Sequence, residues 1–428
     1  MPLPFFNSLD SFLKEREPFC LDDYGAERES VRKILDAVRR GGDGALKELT
    51  ARFEGAVLKE LRVSEAEMES AAGAVEPSLA AALREAKENI ERFHRRQLPS
   101  SWWESGPGRL VGERVRPLER VGAYIPGGTA AYPSSVLMTA LPAQVAGVKE
   151  IYLCTPPAKD GTVPPLTLLA AREAGATAVF KIGGAQAIAA LAYGTATVPA
   201  VDKIVGPGNI YVTLAKRELY GRVGIDLLAG PSEIVVVADG GADPAFVAAD
   251  LLSQAEHDTL ARPILITTCA DLARQVRREL REQLETLPRK EIAERSLKEQ
   301  GAAVLVGDLG EAWRAVNELA PEHLELQVAD PWDHLDAIEN AGAIFIGPHA
   351  PEPLGDYWAG SNHVLPTGGT ARYASSLGVE DFVKRSHLIY YSAAALAGAA
   401  PQIDQLARAE GLGAHARAVT IRRRNDDA

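Results

Sequence analysis

Cysteine is scarce in this chain of 428 residues, which has three cysteines, Cys20, Cys154 and Cys269. They lie far apart in the sequence, and no C-x-x-C pair occurs. Disulfide frameworks and thiolate zinc sites both need several cysteines at close spacing, so the sequence argues against both of them. The same scarcity favours a reducing compartment, and we expect a cytoplasmic protein.

An excess of positive charge is also missing, because 46 Lys and Arg residues stand against 58 Asp and Glu residues, for a net charge of -12. Such an acidic chain is a poor partner for nucleic acid or for an anionic membrane. No apolar run approaches the ~20 residues that a membrane-spanning helix needs. The N-terminal residues lack the apolar core of a signal peptide. We therefore expect neither a nucleic-acid partner nor a membrane partner.

The pattern of apolar residues and turn residues changes near residue 120. Before it, apolar residues recur at helical spacing, and residues 39–42 (RRGG) close the first helical stretch. After it, short β-rich runs that end in Gly or Pro alternate with Ala-rich helical runs. The predicted strands are 121–125, 150–154, 178–182, 203–205, 233–237, 263–267, 303–306, 324–328 and 343–346. This alternation predicts an α/β fold with mainly parallel sheets, a break between two sheets near 228–232, and helices again from residue 378.

Three glycine-rich turns follow predicted strands, at residues 126–128, 183–186 and 206–209. Glycine lets the backbone approach a phosphate closely, but it also makes ordinary strand-to-helix turns. None of the three turns reads G-x-G-x-x-G, and no acidic residue stands clearly at the position that binds a ribose. Spacing alone therefore does not establish a dinucleotide site.

Gln254 and His257 end a helical stretch whose opposite face is apolar. Residues three apart share one face of a helix, so both could reach one metal ion, although such a pair alone is more often just a polar face. Residues 355–363 are glycine-rich and aromatic, which is typical of an ordered functional loop, and they contain Asp356. Together with His415, these side chains could supply the mixed nitrogen and oxygen ligands of a zinc site.

Glu322 and His323 are adjacent and follow a proline. A carboxylate and an imidazole are the commonest side chains for moving protons near neutral pH, although a pair of this kind is more often found at the surface. Cys154 could be a nucleophile for an aldehyde, but no histidine lies near it in the sequence, and a small buried apolar role fits it better. The other histidines have less context, and we expect His94 to face solvent.

A series of segments makes the chain resemble the histidinol dehydrogenases from end to end. The segments are VGAYIPGG (121–128), IGGAQAIA (182–189), VGPGN (205–209), AGPSE (229–233), LSQAEH (252–257), APEHLE (320–325), GDY (355–357), NHVLPT (362–367) and AEGLGAH (409–415). So many segments in family order are far more specific than any single glycine turn.

The resemblance implies zinc-dependent oxidation of L-histidinol to L-histidine through the aldehyde, with two NAD reduced, as the last step of histidine biosynthesis. The implied roles are proton transfer for Glu322 and His323; NAD contacts for Tyr124, Gln186 and Asn209; one Zn2+ ion held by Gln254, His257, Asp356 and His415; and substrate contacts for Ser232, Gln254, His257, His323, Asp356, His363, Glu410 and His415. His323 would accept the hydroxyl proton, and Glu322 would activate the water that hydrates the aldehyde.

The resemblance also implies how the chain is organised: two Rossmann-like, incomplete α/β domains with mainly parallel sheets, plus small helical N- and C-terminal segments. Residues 1–23 would be an N-terminal extension. Residues 24–123 and 233–377 would form the first α/β domain, with the catalytic and zinc-ligand residues, and residues 124–232 the NAD-contacting domain. Residues 378–428 would form a helical segment that reaches the partner subunit of a homodimer with shared active sites.

Three other functions stay open on the sequence. A relative on the same scaffold could oxidise another polar alcohol, such as a sulfonated diol, with the zinc and NAD positions kept. A binding or scaffold protein would need the loss of a catalytic residue or of a ligand, and all of them are present. A zinc hydrolase would work without NAD, but the motif H-E-x-x-H is absent. Glu410 and His415 in their family context favour histidinol.

Overall fold

The structure is a computed structural model that describes residues 3–16, 19–127 and 131–425, and these residues form two compact units. The first unit contains the described residues up to Gln97 together with Leu118–Phe382, and the second contains Leu98–Pro117 and the described residues from Val383 onward. Gly128, the last residue of the first glycine-rich turn, lies outside the described residues. Within the described ranges, no helix combines the length and the apolar content that crossing a membrane requires.

The α-helices are α1 (Leu9–Glu15), α2 (Gly25–Phe53), α3 (Glu65–Ala74), α4 (Pro77–Arg95), α5 (Pro133–Ala146), α6 (Pro165–Glu173), α7 (Gly184–Tyr193), α8 (Ile210–Leu219), α9 (Pro244–Ala255), α10 (Ala270–Leu284), α11 (Lys290–Glu299), α12 (Leu309–Leu319), α13 (Glu352–Tyr357), α14 (Ala393–Ala409) and α15 (Gly413–Thr420). The strands are β1 (Phe5–Phe6), β2 (Trp102–Gly106), β3 (Arg109–Pro117), β4 (Arg120–Tyr124), β5 (Glu150–Thr155), β6 (Ala178–Lys181), β7 (Lys203–Val205), β8 (Gly224–Ile225), β9 (Glu233–Ala238), β10 (Arg262–Thr267), β11 (Ala302–Leu305), β12 (His323–Gln327), β13 (Ala343–Ile346) and β14 (Val383–Tyr391). Short 3-10 helices span Leu21–Asp23, Pro331–Ala337, Thr370–Arg372, Val379–Phe382 and Ile421–Asn425.

The first unit contains a five-stranded parallel sheet with the strand order β6-β5-β4-β7-β8. The N-terminal helices accompany this sheet, because α2 packs against α7 and α8, α3 packs against α6, and α4 packs against α5. Helix α2 is kinked at Gly42, where φ is +52°, which confirms that the RRGG sequence ends the first helical stretch. The domain boundaries given above stay a prediction.

The same unit contains a six-stranded parallel sheet with the strand order β1-β11-β10-β9-β12-β13. Along β9, Ile234 and Val236 pack into an apolar cluster on one face, whereas Val235 and Val237 pack into the cluster on the other face. Because both faces are covered, β9 is apolar without interruption from Ile234 to Ala238 instead of alternating. All nine predicted strands are confirmed within one or two residues.

The second unit is built on a three-stranded antiparallel sheet with the strand order β14-β3-β2, which is followed in the chain by α14 and α15. Helices α14 and α15 confirm the helices predicted toward the end of the chain, but the helical pattern predicted from residue 378 is wrong for residues 383–391, which form β14. Strands β2 and β3 are not predicted from the sequence either. Strands β3 and β14 carry many charged residues, and β2 exposes Trp102 and Trp103, so the period-two apolar pattern of a half-buried strand is weak.

Candidate active site

Glu322 and His323 are buried where β12 begins, and the neighbouring strand β9 holds both of them. His323 Nδ1 lies 2.9 Å from the backbone oxygen of Glu233, and the backbone N–H of Glu233 donates to Glu322 Oε2 at 2.8 Å. The parallel register sets His323 opposite Ile234, which brings the preceding residue, Glu233, beside the pair. The backbone N–H of Glu233 therefore holds the Glu322 side chain, and its backbone oxygen holds the His323 side chain.

The contact with Glu233 decides the tautomer of His323. A backbone carbonyl accepts hydrogen bonds and cannot donate them, so neutral His323 carries its proton on Nδ1. Its Nε2 is then an acceptor, and it lies 3.8 Å from Glu352 Oε1. Burial lowers the pKa of His323 to about 4. A neutral imidazole whose Nε2 faces other polar groups can take a proton from a hydroxyl.

Glu322 lies on the opposite side of the imidazole ring, with Oε2 at 3.6 Å from His323 Nδ1. Burial raises the pKa of Glu322 well above its ordinary value, and the nearby carboxylates of Glu233 and Asp356 raise it further. The pKa values of the two adjacent residues are therefore displaced in opposite directions. A neutral imidazole remains free to accept a proton, and a carboxyl with a raised pKa is a stronger base once it is ionised.

A cluster of metal-ligand type lies beside this pair. His257, Glu352 and Asp356 each offer one ligand atom, and these three atoms lie within 4.8 Å of one another. Helix α13 carries both carboxylates at positions i and i+4, which share one face of a helix. Among the three, Glu352 is buried and His257 is exposed.

Gln254 lies on α9, three residues before His257, and is buried. Its Oε1 atom has no hydrogen-bond partner among the residues that the structure describes. A buried amide oxygen without a donor costs free energy, and a bound cation would satisfy it. The imidazole, the carboxylates and this amide oxygen form a nitrogen and oxygen donor set, which fits zinc.

No motif in the sequence singles out Glu352, which lies before the glycine-rich segment 355–363 that is predicted to be an ordered loop. Glu352 begins α13, and its backbone N–H donates to Glu325 Oε1 at 2.8 Å. Gln327 Nε2 in turn donates to Glu325 Oε2 at 3.3 Å and to Asp250 Oδ2 at 2.6 Å. The i, i+4 spacing of Glu352 and Asp356 after Pro351 was the signal that could have revealed this short helix.

His363 and Ser232 lie at the edges of this cluster. His363 Nδ1 lies 3.4 Å from Asp356 Oδ1, and its Nε2 lies 3.5 Å from Ser135 Oγ. Ser232 is half-buried and directly precedes Glu233, so it stands next to the residue that holds the acid–base pair. The contact between His363 and Asp356 restricts the orientation of a predicted metal ligand.

The prediction that His94 faces solvent is wrong. Its side chain is buried, with Nδ1 at 2.7 Å from Gln97 Oε1 and Nε2 at 3.4 Å from Asn362 Nδ2. Asn362 also donates to the backbone oxygen of Met138 at 2.7 Å, so it anchors the segment that contains His363. The neighbours of His94 in the sequence could not reveal this burial, because its partner lies 268 residues away.

A cavity of about 1010 Å³ lies at the carboxyl ends of the five-stranded sheet. Tyr124 ends β4, Gln186 lies in the first turn of α7 after β6, and Asn209 follows β7; all three line the cavity. Ligands of open parallel sheets bind at this edge. The residues predicted to contact NAD are therefore brought together in one place.

The lining of this cavity suits a phosphate-containing ligand. Gly184 and Asn209 stand at the N-termini of α7 and α8, where the helix dipole favours anions. Lys33, Arg52 and Lys159 add positive charge to the wall. Asn209 Oδ1 already caps α8 by accepting from two backbone N–H groups, which leaves its amide nitrogen as the group that can donate to a ligand.

Glu410 and His415 belong to the second unit. Glu410 follows α14 directly, His415 lies on α15, and both are exposed. The first unit by itself therefore brings His257 and Asp356 together near Glu322 and His323, with Gln254 three residues before His257. The participation of Glu410 and His415 stays a prediction.

A parallel α/β fold with a buried acid–base pair defines an α/β enzyme. A family model described as histidinol dehydrogenase matches residues 22–423. The histidinol dehydrogenase of Moorella thermoacetica is 60% identical over 92% of this chain and 93% of that protein, and that of Heliobacterium mobile is 53% identical over 96% of each. The solved histidinol dehydrogenase of Elizabethkingia anophelis is 37% identical, with a TM-score of 0.92 over 100% of this chain and 99% of that one. The chain belongs to the histidinol dehydrogenase family, a family of oxidoreductases, and the predicted fold class and enzyme class are confirmed.

Proposed function

We propose that the protein oxidises L-histidinol to L-histidine through the aldehyde and reduces two NAD in the process, as the last step of histidine biosynthesis. The family match over residues 22–423 supports the reaction class. The observation that carries the proposal is the buried His323, whose Nε2 is an acceptor and lies 3.8 Å from a carboxylate of the ligand cluster. A substrate held by a cation in that cluster would present its hydroxyl to this base.

Zinc would be held by Gln254, His257 and Asp356 of one subunit and by His415 of the partner subunit. When bound, zinc would supply a template that fixes the imidazole and amine nitrogens of the substrate. The unpartnered Oε1 of Gln254 and the grouping of His257 with Asp356 support this ligand set. Ser232, His363 and Glu410 would complete the substrate contacts, with Glu410 again supplied by the partner subunit of a cytoplasmic homodimer.

The proton transfers follow from the placement of His323 and Glu322. His323 Nε2 would accept the hydroxyl proton of the alcohol in the first oxidation and that of the aldehyde hydrate in the second. NAD, when bound against Tyr124, Gln186 and Asn209, would take up the hydride of each oxidation. Glu322 would accept a proton from the water that hydrates the aldehyde, because hydride can leave only from a tetrahedral carbon.

Removal of the metal tests this function most directly. Purified protein supplied with L-histidinol and NAD should form two NADH per histidine, and a chelator should abolish NADH formation. Added zinc should restore it, because the substrate is positioned through the metal. The measurement is NADH absorbance together with histidine quantification. Full activity in the chelated protein, with no zinc left by elemental analysis, would exclude the metal-dependent reaction.

Glu325 should act on the metal site through helix α13. Its Oε1 accepts the backbone N–H of Glu352 and thereby fixes the helix that carries Asp356. We expect Glu325→Ala to lower zinc affinity by about 10- to 100-fold, the usual effect of losing a group that orients a ligand. Glu325→Gln keeps an acceptor at this position and should stay close to wild type. Zinc retained during dialysis against graded chelator measures both, and equal retention in all three proteins would contradict the prediction.

Cys154 is a poor rival as a covalent nucleophile. Its side chain is fully buried, and burial raises the pKa of the thiol, which disfavours the thiolate. Its packing among apolar side chains near Tyr152 and Phe180 is that of a small core residue. The hydride transfers proposed above therefore proceed without a thiol adduct.

A further inference from the structure

Glu54 lines the same cavity as the predicted NAD residues, and the proposed function gives it no role. It directly follows α2, and its Oε1 accepts a hydrogen bond from Gln186 Nε2 at 3.1 Å. Its Oε2 is buried and has no hydrogen-bond partner among the described residues. Burial raises the pKa of this carboxyl to about 7. A carboxyl with one buried oxygen that accepts no hydrogen bond lowers the stability of the folded protein, so a functional role would explain its presence.

The hydrogen bond fixes the orientation of the Gln186 amide. Above a pH of about 7 the Glu54 carboxylate can accept but not donate, so it keeps the NH₂ end of Gln186 facing it. The amide oxygen of Gln186 is then the end left for a ligand in the cavity. Glu54 comes this close because residue 183 is glycine: a Cβ on Gly183 would lie 2.5 Å from Glu54 Oε1. The absence of a side chain at residue 183 therefore leaves the space that this carboxyl occupies beside the turn before α7.

We propose that Glu54 is a positioning residue of the dinucleotide cavity, which holds the Gln186 amide with its oxygen toward the ligand, so that this wall recognises an N–H or O–H donor of the dinucleotide. The proposal rests on the proposed function, because it takes NAD as the ligand. NAD offers suitable donors in its amide, amine and ribose hydroxyl groups. Replacement of the carboxylate by an amide removes the constraint, since an amide can face Gln186 in either orientation.

Calorimetric titration of NAD into the zinc-loaded protein, without substrate, measures the effect directly. Glu54→Gln should raise the dissociation constant of NAD by about three- to tenfold, the usual range for one net hydrogen bond. The zinc content should not change. Glu48→Gln is the matched control, because Glu48 is an exposed glutamate on α2, the helix that Glu54 follows. The dissociation constant of NAD from this variant should equal that of wild type. Wild-type affinity in Glu54→Gln would overturn the assignment.

A double-mutant cycle with Gln186→Ala separates positioning from a general structural effect. If Glu54 acts through Gln186, then Glu54→Gln should have no further effect on NAD binding once Gln186 is Ala. Independent, additive losses from the two substitutions would overturn the positioning role. A wild-type protein that binds no NAD would overturn the proposed cofactor and this inference together, whereas unchanged binding in Glu54→Gln alone would leave the proposed function standing.

Thermal unfolding shows whether the variant folds. The pKa of Glu54 is raised in the folded protein from 4.5 to about 7, so the folded state holds the proton more tightly than the unfolded chain does. Stability from this group is present at low pH and is lost as pH rises through this interval. The melting temperature of Glu54→Gln relative to wild type should therefore be higher at about pH 8 than at about pH 5. A relative loss of stability at the higher pH would contradict the buried carboxyl and overturn the inference.

Discussion

Replacement of His323 by Asn should lower kcat for histidinol oxidation by about two to four orders of magnitude, because a positioned general base contributes about that much. Asn keeps an N–H that can reach the backbone oxygen of Glu233, now 2.9 Å from Nδ1, so the substitution does not strand a buried acceptor. The loss should fall on kcat, while zinc content and NAD affinity stay at wild-type values. Steady-state NADH formation and elemental analysis measure the two parts of this expectation.

His349→Asn is the matched control for that experiment, since His349 is an exposed histidine of the same unit outside the ligand cluster. It should retain wild-type kcat. His323→Ala should in addition regain part of its activity in the presence of free imidazole, which can occupy the space and supply the missing base. Wild-type turnover in His323→Asn would show that His323 does not accept the substrate proton, and the proposed base would be wrong.

Mixed dimers of two inactive variants, His323→Ala and His415→Ala, should regain about half of the wild-type activity per dimer, because in a shared-site dimer one of the two sites keeps both histidines. The variants would be co-expressed with different affinity tags, and the mixed dimers isolated by two successive affinity steps. NADH formation with histidinol is the measurement. Each variant alone should remain inactive.

The control for shared sites pairs His323→Ala with Glu322→Ala. Glu322 directly precedes His323, the first residue of β12, so both belong to the same site of one subunit. Every site of this mixed dimer therefore lacks one member of the pair, and no activity should return. If the dimers with His415→Ala are equally inactive, then His415 does not act across the subunits. If the protein is monomeric in solution, the shared site is excluded outright.

Many strands and candidate functional residues of the first unit could be predicted from the sequence, because the patterns that indicate them involve neighbouring residues. The strands of both parallel sheets are short apolar runs between turns, and this pattern follows from strands that are covered on both faces, as β9 shows. Glu322 and His323 are adjacent, and Gln254 and His257 are three apart on one helix. Pairs of this kind reveal themselves by residue type and spacing alone.

The residues whose surroundings could not be predicted from the sequence are held by contacts with residues far away in the chain. Glu352 is held at the cluster by Glu325, 27 residues earlier, which accepts the first N–H of α13, and by Ser253 on α9. Glu54 meets Gln186 across 132 residues, and His94 meets Asn362 across 268. Each of these residues looked like an ordinary polar side chain in the sequence, since a glutamate at a helix end or a histidine beside an arginine has no distinctive local context.

The sequence by itself determined the parallel α/β class, nine strands of the two parallel sheets, the adjacent carboxyl and imidazole of Glu322 and His323, and the family. Apolar periodicity, glycine turns and adjacent chemical groups are properties of neighbouring residues, and they survive without coordinates. The tertiary structure alone decided the antiparallel sheet of the second unit, the tautomer of His323, the inclusion of Glu352 and the carboxyl that orients Gln186. These features arise from hydrogen bonds and burial between segments that are distant in the sequence. Such contacts can form only after the chain has brought those segments together, so neighbouring residues give no sign of them.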